Sequence, residues 1–256
     1  MNLMSEDSYY VGAYWGNREE SAERCAARLG RWLSALAGFD PAFRRWFRKA
    51  RSRREALKHE VLVDPIGLVD LIRGGRTKDD TGGEIPELGF GVSFWNGESG
   101  DRSAGMSIRC GGYASSEQAW LPNACIVDLP SRGDGPTQAM TGTALVELMR
   151  ILGDCWDPDW ASAVSRLYQQ LRPVPPIGAP EVGWATYFSE RRGPIPVLPP
   201  LAKSTPLSAG TVVILTEEPF TTTNPVHLSV ASEVEEGLRR AGLLDTTGPG
   251  PIRVRS

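Results

Sequence analysis

The sequence predicts an α+β fold, with a mixed, mainly antiparallel sheet packed by several helices in a single domain. Three observations carry this. Apolar residues recur at helical spacing in some segments and alternate in others. The two kinds come in unequal blocks, not in the steady β-α succession of a doubly wound sheet. The chain has 256 residues, 41% hydrophobic and 23% charged, enough for one substantial core. After the proline-rich stretch 172–180 only two strands and one helix are expected, too little for a second core. The domain is therefore placed at 9–244, with tails at 1–8 and 245–256.

Residues 9–15 read as an aromatic strand with large or apolar groups on both faces. Gly16 and Asn17 turn the chain, and Asn17 is placed to cap the helix that follows. In that helix Ala22, Cys25, Ala26, Leu29, Trp32, Leu33 and Leu36 share one face, Arg24, Arg28 and Arg31 lie opposite, and Gly38 is placed to end it. Three Asp-Pro pairs follow, at 40–41, 64–65 and 157–158. An aspartate accepts from free amides of a first turn, and proline is tolerated at the first helical position. Helices are expected after each, at 41–50, 65–73 and 158–171; in the last, Trp160, Val164, Leu167, Tyr168 and Leu171 make one stripe.

The middle of the chain reads as strands. Leu88, Phe90, Val92 and Phe94 alternate with Gly89, Gly91 and Ser93, and the glycines leave a flat face open to close approach. A polar, glycine-rich loop at 96–103 leads to Met106, Ile108 and Cys110, an antiparallel partner, and 125–129 is a further strand. Leu145, Leu148 and Leu152 mark a helix at 143–153. Strands are expected at 184–188 and 211–216, with irregular chain between them at 193–206. Asn224-Pro225 starts a last helix that runs to Ala241 and closes at Gly242.

The net charge of -3 and a pI near 5.6 argue against a dedicated nucleic-acid binder, which carries a strong basic excess. Apolar runs fall far short of the ~20 residues of a spanning helix. Glu6 and Asp7 stand where a secretory signal would be basic, so a cytoplasmic protein is expected, and its four cysteines are expected as free, buried thiols. Zinc would need clustered ligands, and only His59 and His227 are present to help; no metal or cofactor is expected.

The search for catalytic machinery returns no phosphate loop, no G-x-S-x-G elbow and no H-E-x-x-H, and no catalytic residue is assigned. His59 reads as a surface residue. His227, in register with Ala231, Val234, Leu238 and Ala241, reads as a packed histidine, with a remote Cys–His pair left open. In the run from Trp156 to Trp160, Asp157 reads as a helix cap and Asp159 as a complement to the helix dipole; partner contact is the alternative for both.

Residues 44–58 hold eight basic side chains against the single acid Glu55, with Phe43, Trp46, Phe47 and Ala50 facing inward. This is a solvated face, a contact for phosphate or nucleic acid, or a match for an acidic patch on another protein. Charge is uneven along the chain: residues 17–79 carry 15 basic and 9 acidic side chains, residues 84–160 carry 4 and 11. Such polarity steers association more than it stabilises a fold.

Several segments together resemble immunity protein family 52 of bacterial polymorphic toxin systems. They are the run from Tyr9 to Gly16 with Glu20, Ser21 and Ala22; Gly89-Phe90 leading to Phe94, Trp95, Asn96 and Gly97; the run from Trp156 to Trp160; Val182, Gly183 and Trp184 with Thr186 and Tyr187; and Leu215, Thr216, Phe220, Asn224 and Pro225. The resemblance implies an antitoxin that binds a cognate secreted toxin domain. It further implies a toxin with a restriction-endonuclease-like fold, delivered by a contact-dependent system such as type VI secretion. Carried over residue by residue, it makes Trp15, Trp95, Asn96, Asp157, Asp159 and Trp184 partner contacts or core positions, with no enzymatic role.

Overall fold

Strand β1 (Tyr9–Trp15) runs through the middle of the molecule. In the computed structural model, which describes residues 7–113, 123–130, 140–176 and 178–246, it pairs antiparallel with β5 (Asn123–Leu129) on one side and β6 (Trp160–Ser165) on the other. Most of both expected tails, at 1–6 and 247–256, lies outside the described residues. The remaining strands are β2 (Phe47–Arg48), β3 (Phe90–Trp95), β4 (Gly105–Cys110), β7 (Ala185–Ser189), β8 (Lys203–Leu207) and β9 (Gly210–Ile214). Together they form one nine-stranded sheet in the order β2-β3-β4-β5-β1-β6-β7-β9-β8, and every pairing among them is antiparallel. This is the α+β single domain read from the sequence.

Strand alternation sorts the side chains. Tyr9, Val11, Ala13 and Trp15 share a face with Cys125, Val127, Met106, Ile108 and Phe94, all buried. That face is covered by α1 (Ala22–Phe39) and α4 (Gly142–Trp156), whose apolar stripes enter the same core. α3 (Pro65–Gly74) packs on α1 from outside. The short helices α2 (Arg53–Ala56) and α5 (Arg166–Gln170) and the final α6 (Pro225–Arg240) complete the chain. The sheet's far edge, β8, carries Lys203 and Pro206, residues that discourage pairing with another strand.

The first long helix keeps its seven predicted apolar residues buried, but its ends differ from expectation. Ser21, not Asn17, accepts from the amide of Arg24, and the helix runs through Gly38 to stop at Asp40. The Asp-Pro pairs diverge. Asp64 caps α3 as predicted, its Oδ1 2.7 Å from the amide of Gly67. Asp40 starts only a 3-10 turn, Pro41–Phe43, and the expected helix at 41–50 does not form. Instead residues 46–48 are extended and pair with 59–61, the amide of Val61 donating to Trp46 at 2.8 Å and that of Arg48 to His59 at 2.9 Å. Pairing and the burial of Phe43, Trp46 and Phe47 outweigh the local cap.

The expected helix at 158–171 is also overturned. Asp157 sits at φ +48° and ends α4, its amide donating to Gly153 at 2.9 Å. Residues 160–165 are then strand β6, buried at every position between β1 and β7, and a helix resumes only at α5, capped by Ser165. A strand buried on both faces has no alternation to betray it, so Trp160 and Val164 fitted a helical stripe by coincidence. Lys203–Leu207, expected to be irregular, is the edge strand β8.

Candidate functional site

The six residues singled out from sequence fall into three places. Trp184 lies just before β7 and is fully buried, with its indole N–H donating to the carbonyl of Thr216 at 2.8 Å and its ring edge-on to Tyr9. Trp15 ends β1 and is 2% exposed, stacked on Trp156 with 5.5 Å between ring centroids. Neither tryptophan presents appreciable surface.

Asp157 and Asp159 sit beside that stack, on the corner between α4 and β6. The amide of Gly16 donates to Oδ2 of Asp159 at 2.9 Å, tying the corner to the end of β1. Arg191, in the 3-10 turn after β7, donates to Oδ1 of Asp157 at 2.8 Å and to Oδ1 of Asp159 at 3.2 Å. Arg18 lies over the Trp15 ring and donates to the carbonyls of Trp156 and Asp157, at 2.7 and 3.1 Å. Arg28 donates to that of Cys155 at 3.0 Å. Two guanidiniums thus meet the negative end of α4, where helix carbonyls lack partners. Both also hold Glu20, whose side chain is only 5% exposed. None of Arg18, Arg28 and Arg191 was picked out from sequence as a partner of this corner. They lie far from it along the chain, and no local pattern marks them.

Trp95 and Asn96 occupy another end of the molecule, where β3 meets β2. Trp95 is partly exposed; it stands across from Gly105 on one neighbour and Phe47 on the other. The Arg53 guanidinium lies 5.7 Å from its ring centroid, that of Arg45 5.0 Å from the ring of Phe47. Asn96 is buried and spends its amide internally. It donates to the carbonyls of Arg102 (2.8 Å) and Ala42 (3.2 Å), and accepts from the amides of Ala104 (3.0 Å) and Glu98 (3.2 Å). It therefore fixes the loop after Trp95 onto the turn at 41–43.

Around Trp95 the basic side chains of segment 44–58 are exposed. Arg45 makes a bidentate pair with Glu60, and Lys58 pairs with Glu55. Arg44, Arg48, Lys49, Arg51 and Arg54 are exposed and make no ion pair among the described residues. The acidic segment behaves oppositely: Glu84, Glu98, Asp128, Glu147, Asp154, Asp157 and Asp159 each meet an arginine.

The remaining reactive groups are inside. All four cysteines are buried and unbridged. Hydrogen bonding with Cys25 and burial push the Cys110 thiol well above its ordinary value; burial does the same for Cys125 and raises Cys155. His227 accepts at Nδ1 from the amide of Thr221 (3.0 Å), so its other nitrogen carries the proton toward Glu218, 3.1 Å away. It is buried and stacks on Phe220, as a packed core histidine does. Among the described residues no three His, Cys, Asp or Glu side chains gather as metal ligands, and no helix is long and apolar enough to cross a membrane.

The fold and its surface define a single-domain α+β protein whose exposed distinguishing chemistry is arginine and tryptophan at one end of an antiparallel sheet. The chain belongs to the Immunity protein 52 family, which matches residues 7–247. Its fold is similar to that of the Pseudomonas aeruginosa T6SS protein PA0821, with a TM-score of 0.51 and 11% identity over 90% of this chain and 73% of that one. No curated protein matches the sequence.

Proposed function

We propose that this protein is an antitoxin that works in the cytoplasm by occluding one cognate toxin domain, with no turnover of its own. The toxin is a nuclease-type effector delivered by a contact-dependent system such as type VI secretion. The observation that carries this reading is the family match across the whole domain; the likeness to a T6SS protein agrees with it in fold. On this reading Trp95 is an anchor at the interface and Asn96 holds the loop beside it, since exposed tryptophan and arginine dominate binding hot spots. The Asp157–Asp159 corner contributes less, because Arg191 already holds an oxygen of each carboxylate. The test is co-expression with the toxin encoded beside this gene. Protection together with co-purification supports the reading, and a toxin that stays lethal and does not co-purify defeats it.

A second reading, a nucleic-acid-binding regulator acting through residues 44–58, draws on the same unpaired cations. It requires affinity for DNA or RNA that falls steeply with salt, and a gel shift without binding at low salt removes it.

A further inference from the structure

We infer that the surface running from Trp95 across residues 44–58 to α3 is the docking face, and that it receives an acidic, partly apolar face of the toxin. This rests on the toxin-binding reading and adds which surface is used and the chemistry of what it meets.

Charge comes first. Most acids in the acidic segment find an arginine nearby, whereas Arg44, Arg48, Lys49, Arg51 and Arg54 stand exposed without an ion pair among the described residues. Five like charges within 11 consecutive residues repel one another in the free protein, a cost that an acidic partner relieves. The net charge of the chain is -3, so this basic end is a local concentration and not an overall property. Such a patch speeds association with an oppositely charged surface and rejects others.

Apolar surface adjoins it. Leu57, Leu62, Val63 and Ile66 are 44%, 66%, 52% and 78% exposed and lie within ten residues of one another. Leu62 and Leu71 line one hollow of about 330 Å³ against α3, with Arg48 on its edge toward β3 and Glu60, Asp64 and Asp70 around the rest. Val63 helps line a groove of about 900 Å³ between α1 and α3, floored by Ala27, Gly30 and Leu68. Both depressions flank α3 and have the buried Leu68 among their lining residues. At its other end the Arg53 guanidinium rests near the Trp95 ring and donates to the carbonyl of Gly97 at 3.3 Å. An apolar surface with a polar rim is the anatomy of a protein interface; here the rim is basic on the Trp95 side, while toward α3 it carries Glu60, already paired with Arg45, Asp64, which accepts from the Gly67 amide, and Asp70. A nucleic-acid backbone matches the cations but has no counterpart for four exposed aliphatic side chains, which favours a protein.

The face is also preformed. Residues 46–48 are clamped between β3 and 59–61, and Trp46 and Phe47 are buried beneath the exposed cations. A rigid surface loses little conformational freedom on binding.

The experiment measures affinity and association rate of the full chain for the inactivated toxin domain encoded beside this gene, at about 50 and 500 mM NaCl. Native protein is compared with the triple variant Arg48→Glu/Arg51→Glu/Arg54→Glu and the milder Arg48→Gln/Arg51→Gln/Arg54→Gln. The control Arg109→Glu/Lys203→Glu/Arg240→Glu has the same charge change at exposed sites elsewhere. The Glu triple is expected to lose about 100-fold in affinity at low salt, mostly through slower association, the Gln triple roughly tenfold and the control under about threefold. A native protein that binds and a Glu triple that binds equally well overturn the docking face while leaving the antitoxin reading intact. Equal losses in triple and control also overturn it. So does a nucleic acid shift abolished by the triple while toxin binding is unchanged. A native protein that does not bind the toxin at all sinks both.

Discussion

Arg191 holds Asp157 across the corner between α4 and β6, Nη1 to Oδ1 at 2.8 Å, and Asp157 is the one described non-glycine residue with positive φ, at +48°. Two effects therefore meet at one side chain. The ion pair is half-exposed and worth at most about 1 kcal/mol. A left-handed backbone penalises an ordinary Cβ by roughly 1–2 kcal/mol and glycine not at all. Asp157→Ala should thus lower unfolding free energy by about 1–2 kcal/mol, and Asp157→Gly by less than about 1 kcal/mol, in urea titrations. A glycine variant weaker than the alanine variant would show that the backbone geometry is not what the aspartate accommodates.

Glu20 is the buried acid of the network, with Arg28 at 2.7 Å and Arg18 at 3.1 Å. Truncating it takes the carboxylate from two largely buried guanidiniums, which keep only the carbonyls at the end of α4. Glu20→Ala is expected to cost roughly 3 kcal/mol in the same titrations, and Arg28→Ala to cost clearly less in that background than in the native protein. Full additivity of the two would contradict the shared network.

Glu181 gives a pH signature. It is buried against Gln169, whose Nε2 donates to Oε2 at 3.1 Å, and burial raises its carboxyl above the ordinary glutamate value. The folded state therefore binds a proton more readily than the unfolded chain. Its contribution is complete below the ordinary glutamate value and is lost as pH rises through the raised one. Glu181→Gln removes this dependence. The variant should gain in Tm relative to native at neutral pH, with the gain shrinking toward about pH 4. A gain that grows on acidification would mean that the carboxylate is stabilised in place.

The thiols should be silent. Three are raised above the ordinary value and all four are buried. Native protein should react with a thiol reagent at about the rate of unfolding, and denatured protein at once. One rapidly labelled cysteine would reopen a nucleophilic role.

The sequence foretold elements whose apolar period is unambiguous and erred where long-range pairing decides. Seven residues from Ala22 to Leu36 are one buried helical stripe, as their spacing requires. Asp40, Asp64 and Asp157 carry the same local signal before proline, yet give a 3-10 turn, a helix and a left-handed corner. Nothing within a few residues distinguishes them. What does is the pairing of 46–48 with 59–61 and of β6 with β1 and β7. The site was legible in the same measure. Trp95 and Trp184 look alike as strand aromatics, but Trp184 is enclosed and Trp95 faces Gly105 at the sheet's end. The partners of the acidic corner, Arg18 and Arg191, lie 139 and 34 residues from Asp157 and have no period to announce them.

The central claim, that this chain silences its toxin by covering it, is tested most directly by stoichiometry. Purified toxin is titrated with this protein and its residual activity read after equilibration. Occlusion predicts a linear fall to the baseline at one equivalent, with both chains recovered intact on denaturation. Complete inactivation by a small fraction of an equivalent, or a covalently altered toxin, would contradict it.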